Sequence, residues 1–105
     1  MSSTRLESLL QYLEKDPDDS FTRYAVALEY ISQGNPDQGI AYLEDLIERD
    51  PGYVASYQQL GYIYAEAERK EDAIAVLKRG IEIARPSGDT HAMSEMQDAI
   101  DELEY

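Results

Sequence analysis

The side chains of this sequence that could support catalysis are one histidine and a large number of carboxylates. His91 lies in the first turn of the last predicted helix, beside Asp89 and Glu95. A histidine–carboxylate pair serves proton transfer in catalysis only when a nucleophile or another functional group lies within reach. No nucleophile, second histidine or glycine-rich loop accompanies His91. We therefore predict that His91 is a partly buried packing residue without a catalytic role.

The remaining motifs also lack the residues that their chemistry needs. The segment Ser87-Gly88-Asp89 has neither the lysine nor the glycine spacing of a phosphate-binding loop, and it is typical of a turn followed by a helix N-cap. The carboxylates are dispersed over polar faces, which gives no support to paired acid–base catalysis. The absence of cysteine excludes disulfides, thiolate metal sites and a cysteine nucleophile. We expect no catalytic residue, no metal site and no cofactor, and hence a protein that is not an enzyme.

The charge balance narrows the class of partner. The 105 residues include 22 acidic and 9 basic side chains, which gives a formal net charge of -13. Nucleic acids and anionic membrane surfaces attract clustered lysine and arginine, so we expect neither as a partner. The apolar fraction of 43% is that of a folded domain. Residues 1–15 contain no apolar signal-peptide region and no run is long enough to span a bilayer, so the expected compartment is the cytoplasm.

The sequence contains an internal repeat, and its period is the separation between Pro17 and Pro51. The dipeptide Asp16-Pro17 recurs at this step as Asp50-Pro51. Alignment of residues 20–53 with 54–87 needs no gap, and the matched apolar positions follow a helical spacing. The identical pairs are Tyr30 and Tyr64, Ile40 and Ile74, Ala41 and Ala75, Leu43 and Leu77, Ile47 and Ile81, and Glu48 and Glu82.

Each period predicts a pair of helices. Apolar residues within 24–31 recur at three- and four-residue steps, and Gly34 ends that helix. Asn35 is a suitable N-cap for the return helix, with Pro36 at its first position, and Pro51 ends it. The flanking segments keep the same phase. The prediction is one domain over 1–105 with six helices: a half repeat at 4–15, full repeats at 20–53 and 54–87, and a capping helix within 88–105.

This pattern resembles that of the tetratricopeptide repeat family. The first helix of that family carries an aromatic residue, a leucine, a small residue and a tyrosine, which here are Tyr57, Leu60, Gly61 and Tyr64. The earlier copy has Arg23 in the aromatic position, so its aromatic residue is lost. The second helix matches through Ala73, Leu77 and Gly80, and in the earlier copy through Gly39, Leu43 and Pro51, while Leu46 is large where a small residue is usual. The resemblance implies an all-α fold, a right-handed superhelix of antiparallel helix hairpins.

The small residues of the pattern predict close helix packing. We expect Gly61 and Ala27 to let their helices approach the return helices, with Gly39 and Ala73 on the opposite side. Five basic residues cluster on the return helix of the second repeat and its ends: Arg69, Lys70, Lys78, Arg79 and Arg85. They form either a local anion contact or ion pairs with neighbouring glutamates, and we favour the ion pairs.

The resemblance also implies a function, which is to bind a segment of another protein in a concave groove lined by the first helices. The groove residues carried over in this way are Phe21, Tyr24, Leu28, Gln58, Tyr62, Asp89, Met93 and Met96. Ala65 belongs to the same surface, although Leu28 and Ala65 also fit an interpretation as packing residues between helices. The positions that hold an acidic chaperone tail in some family members carry no basic residue here. The expected partner is a protein or peptide, amphipathic or basic.

Two further alternatives stay open. Leu6, Leu9 and Leu10 at one end, and Met96, Ile100 and Leu103 at the other, could form faces through which a weak homodimer assembles. The acidic excess could attract a basic partner, or it could be an adaptation to high salt. Only three of the nine basic residues are lysine, which favours the adaptation to salt.

Overall fold

The computed structural model describes residues 4–105, and within this range the chain forms six α-helices and no β-strand. The helices are α1 (Thr4–Lys15), α2 (Ser20–Ser32), α3 (Pro36–Arg49), α4 (Val54–Glu66), α5 (Lys70–Ala84) and α6 (Thr90–Glu104). The all-α prediction is confirmed. Residues 1–3 belong to the predicted domain range but lie outside the described residues. None of the described helices is both long and apolar enough to cross a membrane.

The turn between α2 and α3 forms as its residue types predict. Gly34 adopts the left-handed conformation with φ of 81°. The Gly34 N–H donates to the Ile31 carbonyl, and the Asn35 N–H donates to the Tyr30 carbonyl at 2.9 Å. These two bonds satisfy carbonyls that the end of a helix leaves without partners. The Asn35 side chain then accepts from the Gln38 N–H at 3.5 Å and caps α3.

The turn between α4 and α5 has the same geometry without a glycine. Glu68 occupies the position of the second repeat that corresponds to Gly34, and it adopts a left-handed φ of 62°. The Glu68 N–H donates to the Ala65 carbonyl, and the Arg69 N–H donates to the Tyr64 carbonyl at 2.8 Å. A side chain is strained in this region because its Cβ approaches the backbone. The second repeat therefore closes its hairpin in a conformation that favours glycine.

The chain divides into two compact units, with the division between Asp50 and Pro51. In the first unit α2 packs against both α1 and α3. Its buried apolar residues are Leu13, Val26, Ala27, Ile40, Leu43, Leu46 and Ile47. Gly39 lies directly beneath Ile31, whose side chain occupies the space that a Cβ at residue 39 would need. The predicted close approach at Gly39 is confirmed.

In the second unit α4, α5 and α6 pack against one another. Its buried core includes Tyr57, Leu60, Tyr64, Leu77, Ile81, Met96 and Ile100. A Cβ at Gly61 would lie 2.5 Å from the Leu77 side chain. At Gly80 a Cβ would lie 2.7 Å from the Tyr57 Cβ and 2.6 Å from the Met96 sulfur. Glycine at both positions lets the helices pack at this distance, as predicted for Gly61.

The position predicted to have lost its aromatic residue is filled by Arg23, whose side chain is only 8% exposed. Arg23 donates to the Pro17 carbonyl at 2.7 Å and to Asp45 at 2.9 Å. Tyr57, at the corresponding position of the second repeat, donates to the Pro51 carbonyl at 2.6 Å. The two residues therefore bond to equivalent carbonyls in the turns that precede their helices.

Two residues predicted to form a face for self-association belong to the core instead. Met96 and Ile100 are 0% and 1% exposed, and they pack with Leu77, Ile81 and Ala84. The prediction of an unpartnered apolar face at these positions is wrong, because α6 turns its apolar side onto α5 and α4. Leu103 is only partly buried and packs against the same cluster.

Candidate functional site

Polar side chains connect α4 and α6 in the second unit. Gln58 donates from its amide nitrogen to the Tyr62 hydroxyl at 2.7 Å and to the Glu95 carboxylate at 2.8 Å. Glu95 is also 3.0 Å from the imidazole Nε2 of His91. Gln58 and Tyr62, both predicted for the binding surface, are thus brought together and linked to α6 by Glu95.

An apolar cleft lies between the C-terminal halves of α4 and α6. Its volume is about 240 Å³ and it opens to solvent. Small side chains on both helices leave the space, and larger ones bound it: Gly61, Tyr62 and Ala65 from α4, Leu77 from α5, and Ala99 and Leu103 from α6. We call this the α4–α6 cleft. It includes Tyr62 and Ala65 from the predicted binding surface.

Two carboxylates stand at the mouth of the α4–α6 cleft. Glu66 on α4 and Glu102 on α6 both line the opening, and both are exposed. The opening of the cleft is therefore acidic, while most of its walls are apolar.

The other predicted residues of the second unit take different positions. Asp89 caps α6 by accepting the Ala92 N–H at 3.1 Å, which confirms the N-cap predicted for the Ser87-Gly88-Asp89 segment. Met93 is partly buried and packs against the core. Met96 is fully buried beside Gly80. Its prediction as a surface residue is wrong, because α6 packs its apolar side against the core cluster that contains Leu77 and Ile81.

The predicted residues of the first unit all lie on α2. Phe21 is 68% exposed, whereas Tyr24 and Leu28 are partly buried. The exposed ring of Phe21 is available to a partner, and the structure leaves the binding role of all three as a prediction.

His91 differs from its prediction. Its side chain is 85% exposed, so it is a surface residue and not a partly buried packing residue. The reason is that Ala92 and Met96 take the inner side of α6 and turn His91 outward. Among the residues that the structure describes, no three histidine or carboxylate side chains are grouped to hold a metal ion.

A second cleft lies in the first unit and is lined by Arg23, Ala41, Tyr42 and Asp45. The Tyr42 ring stacks on Tyr30 with centroids 5.5 Å apart. Burial raises the pKa of the Tyr42 hydroxyl, and the neighbouring Tyr30 raises it further. The polar walls of this cleft already bond to each other through Arg23 and Asp45. This cleft is a weaker candidate for a binding site than the α4–α6 cleft, whose walls are mostly apolar.

Three members of the basic cluster on α5 form ion pairs within the second unit, as we favoured from the sequence, although their partners include Asp72 and Glu104 as well as the neighbouring Glu82. Ion pairs join Arg69 to Asp72, Lys78 to Glu104 and Arg85 to Glu82. The Arg85 guanidinium holds the pKa of Glu82 below its usual value through a hydrogen bond. Arg69 and Arg79 also lie over the rings of Tyr64 and Tyr57, at 4.3 and 5.4 Å from their centroids.

Sequence reasoning missed Ala99 and Glu102 and assigned Leu103 to an end face. A signal for them existed. Ala99 follows Ala65 by one repeat period, so the repeat places small residues at equivalent positions of neighbouring first helices. Two such positions on adjacent helices predict an open space between them.

Helix hairpins that recur at a fixed period, closed by equivalent turns and carrying an open cleft between first helices, define a helical-repeat protein. The family model of the tetratricopeptide repeat matches residues 30–102. The chain belongs to the tetratricopeptide repeat family. Members of this family are generally protein–protein interaction modules and are generally not catalytic.

Several known proteins are similar to this chain. Two structures of a tetratricopeptide repeat domain protein from Salinibacter ruber match it. The solution NMR structure is 44% identical, covers 85% of this chain and 90% of its own, and has a TM-score of 0.81. The crystal structure is 43% identical, covers 82% and 97%, and has a TM-score of 0.78.

Two further proteins are similar at lower identity. A TPR repeat-containing protein of Pseudomonas aeruginosa is 28% identical over 91 residues, which are 87% of each chain. The solution structure of a protein from Bordetella parapertussis has a TM-score of 0.82 at 20% identity and covers 97% of this chain and 89% of its own. At that identity the likeness concerns the fold alone.

Proposed function

We propose that this protein is a non-catalytic adaptor or scaffold that binds a peptide or helix segment of another protein through the surface formed by α4 and α6. The observation that carries the proposal is the α4–α6 cleft, an open apolar space bordered by acidic residues in a family of interaction modules. The Gln58 side chain supports it, because its bonds to Tyr62 and Glu95 hold the polar end of the surface in place.

The expected partner segment is amphipathic and basic. Apolar walls favour burial of an apolar side chain, and exposed carboxylates at the margin favour nearby cations by charge complementarity. Met93 and Tyr62 suit such contacts, because methionine adapts to varied shapes and tyrosine offers a large area at low entropic cost. Phe21, Tyr24 and Leu28 are proposed as separate contacts on the first unit. The cytoplasmic location stays a prediction.

A display library of random twelve-residue peptides tests the proposal directly. Peptides selected on the intact protein are measured for binding to Tyr62→Ala combined with Met93→Ala. We expect binding to weaken at least about tenfold, because aromatic and flexible apolar anchors carry a large part of the binding energy of such surfaces. Tyr24→Ala, measured separately, tests the contacts predicted on the first unit.

The matched control is Tyr12→Ala, which removes a tyrosine that is 70% exposed on α1 and is not part of the proposed surface. All variants are compared by circular dichroism to establish that they fold. Selected peptides that bind the α4–α6 variant and the control equally well would count against the proposed surface. A library that yields no binding peptide would count against the proposed function itself.

Self-association remains a weaker second candidate after Met96 and Ile100 are assigned to the core. Light scattering at high protein concentration tests it. A monomer at all concentrations removes this candidate, whereas a dimer that dissociates on substitution of Leu6 or Leu10 supports the predicted N-terminal face.

A further inference from the structure

The α4–α6 cleft has the size of one large apolar side chain. Its volume is about 240 Å³. Apolar cavities of about 150 Å³ already accept a benzene molecule. The small residues Gly61 and Ala65 of α4 and Ala99 of α6 line this space, and none of them has a side chain large enough to fill it. The cleft thus offers room for one large aliphatic side chain from another molecule, such as that of leucine, isoleucine or methionine.

The floor and sides of the cleft favour an aliphatic occupant. Leu77 forms the floor and is fully buried. Tyr62 and Leu103 bound the sides, and both are only partly buried. An inserted apolar side chain would remove their remaining apolar surface from water, which is favourable at about 25 cal/mol per Å².

The charge at the mouth adds a second requirement. Within residues 4–105, neither Glu66 nor Glu102 forms an ion pair, although basic side chains of α5 pair with other acids. The two carboxylates come from different helices and border the same opening. A cation placed next to the apolar occupant would therefore meet two acceptors that the protein itself does not neutralise.

We infer that the α4–α6 cleft is a pocket for one large aliphatic side chain of a partner segment, with a lysine or arginine within two residues of it held at the mouth by Glu66 and Glu102. This inference rests on the proposed function and specifies the residue chemistry that the surface recognises. A segment that offers the aliphatic side chain but has acidic or apolar neighbours in place of the cation meets only the first requirement and binds more weakly.

Two variants of the full chain test the two requirements separately, with the peptides of the display library as probes. Ala65→Met combined with Ala99→Met fills the pocket, and binding should weaken by more than about tenfold. Glu66→Gln combined with Glu102→Gln keeps the shape and removes the charge. Peptides with a cation beside the aliphatic residue should bind this variant about threefold to tenfold more weakly, and the loss should shrink in high salt.

The matched control for charge is Glu14→Gln combined with Glu48→Gln, which changes the net charge by the same amount at two exposed positions of the first unit. Binding should change less than twofold in this control. Thermal unfolding establishes that the pocket-filling variant folds. If it does not fold, the Glu66 and Glu102 variant and the sequences of the selected peptides still decide the inference.

Each outcome has a separate meaning. Peptides that depend on Tyr62 and Met93 but not on the pocket or the two carboxylates overturn this inference and leave the proposed function intact. Peptides without an adjacent lysine or arginine overturn the charge requirement. A homodimer that the pocket-filling variant abolishes would make a second copy of the chain the occupant, and would overturn the inference as stated. Absence of any binding peptide removes both proposals.

Discussion

At the scale of single residues, the two repeats fill one equivalent buried position with different side chains. Arg23 and Tyr57 occupy equivalent positions, and each donates a hydrogen bond to the proline carbonyl of the preceding turn. The residues that face them, Asp45 and Arg79, also occupy equivalent positions of the two repeats. Asp45 pairs with Arg23 at 2.9 Å, whereas Arg79 lies over the Tyr57 ring. An ion pair between a buried arginine and a half-exposed aspartate in one repeat thus corresponds to a cation–π contact in the other.

The buried arginine should matter more than its exposed neighbour. Arg23 and Arg49 both donate to the Asp45 carboxylate, but their side chains are 8% and 45% exposed. Arg23→Ala should lower the free energy of unfolding by about 1–3 kcal/mol, because buried packing and the bond to Pro17 are lost together. Arg49→Ala should lower it by about 0.5 kcal/mol or less. Urea unfolding of both variants measures the difference, and equal losses would contradict the structural role of Arg23.

At the scale of helices and turns, both hairpins depend on a left-handed residue at the end of their first helix. Gly34 adopts this conformation without strain, because glycine has no Cβ to approach the backbone. Glu68 adopts it with a side chain. The same hydrogen bonds close both turns, so the stability of the second hairpin carries a cost that the first does not.

Removal of this strain should stabilise the protein. Glu68→Gly should raise the free energy of unfolding by about 0.5–1 kcal/mol, because relief of the left-handed strain exceeds the added freedom of glycine in the unfolded chain. Glu71→Gly, in the first turn of α5, should lower it by up to about 1 kcal/mol. Opposite signs for these two Glu→Gly changes in urea unfolding are the expected result. Destabilisation by both would show that Glu68 is not strained.

Gly80 of α5 packs so closely against neighbouring helices that it should not tolerate even the side chain of alanine. In Gly80→Ala, the added Cβ would approach the Tyr57 Cβ and the Met96 sulfur at less than 3 Å, and the Tyr57 Cβ cannot move without its helix. The free energy of unfolding should fall by about 1–3 kcal/mol or more. Gly52→Ala is the control, because a Cβ there meets no atom within 4 Å. Calorimetric melting of both proteins gives the comparison, and an unchanged Gly80→Ala variant would contradict the described packing.

Helix boundaries were predictable because local residue types determine them. Asn35, Pro36 and Pro51 mark helix ends whatever the rest of the chain does. The left-handed Glu68 was not predictable, since no glycine marks that turn. Nor was the placement of Met96, because an apolar stripe on α6 does not identify which neighbour covers it. The α4–α6 cleft depends on the distance between two helices, which the repeat indicates only through the paired small residues.

At the scale of the whole molecule, the dominant feature is the charge. A formal net charge of -13 on 105 residues makes the surface repel itself. Carboxylates on exposed positions, such as Glu14, Glu48 and Asp98, contribute to this repulsion. Salt screens such charges over a Debye length of about 8 Å at physiological ionic strength. Folding brings the charges closer together, so screening should favour the folded state.

We therefore predict that the melting temperature rises as KCl increases from low to molar concentration. A variant with Glu14→Lys, Glu48→Lys and Asp98→Lys should show a smaller rise, because three exchanges of acid for base reduce the repulsion that salt relieves. Differential scanning calorimetry across a KCl series measures both proteins. A flat or falling melting temperature in the natural sequence would reject the role of repulsion and, with it, the hypothesis of salt adaptation.

Arg23 and Asp45 of the first repeat correspond to Tyr57 and Arg79 of the second. This difference limits how the two repeats can be combined in longer arrays built from this chain. A hybrid hairpin with Arg at both positions would bury one cation against another, and a hybrid with Tyr and Asp would set a carboxylate against the face of a ring. Neither mixed set retains the favourable contact of its parents. The two members must therefore be transplanted together, as a linked module, for any duplicated or recombined version to fold as well as the original.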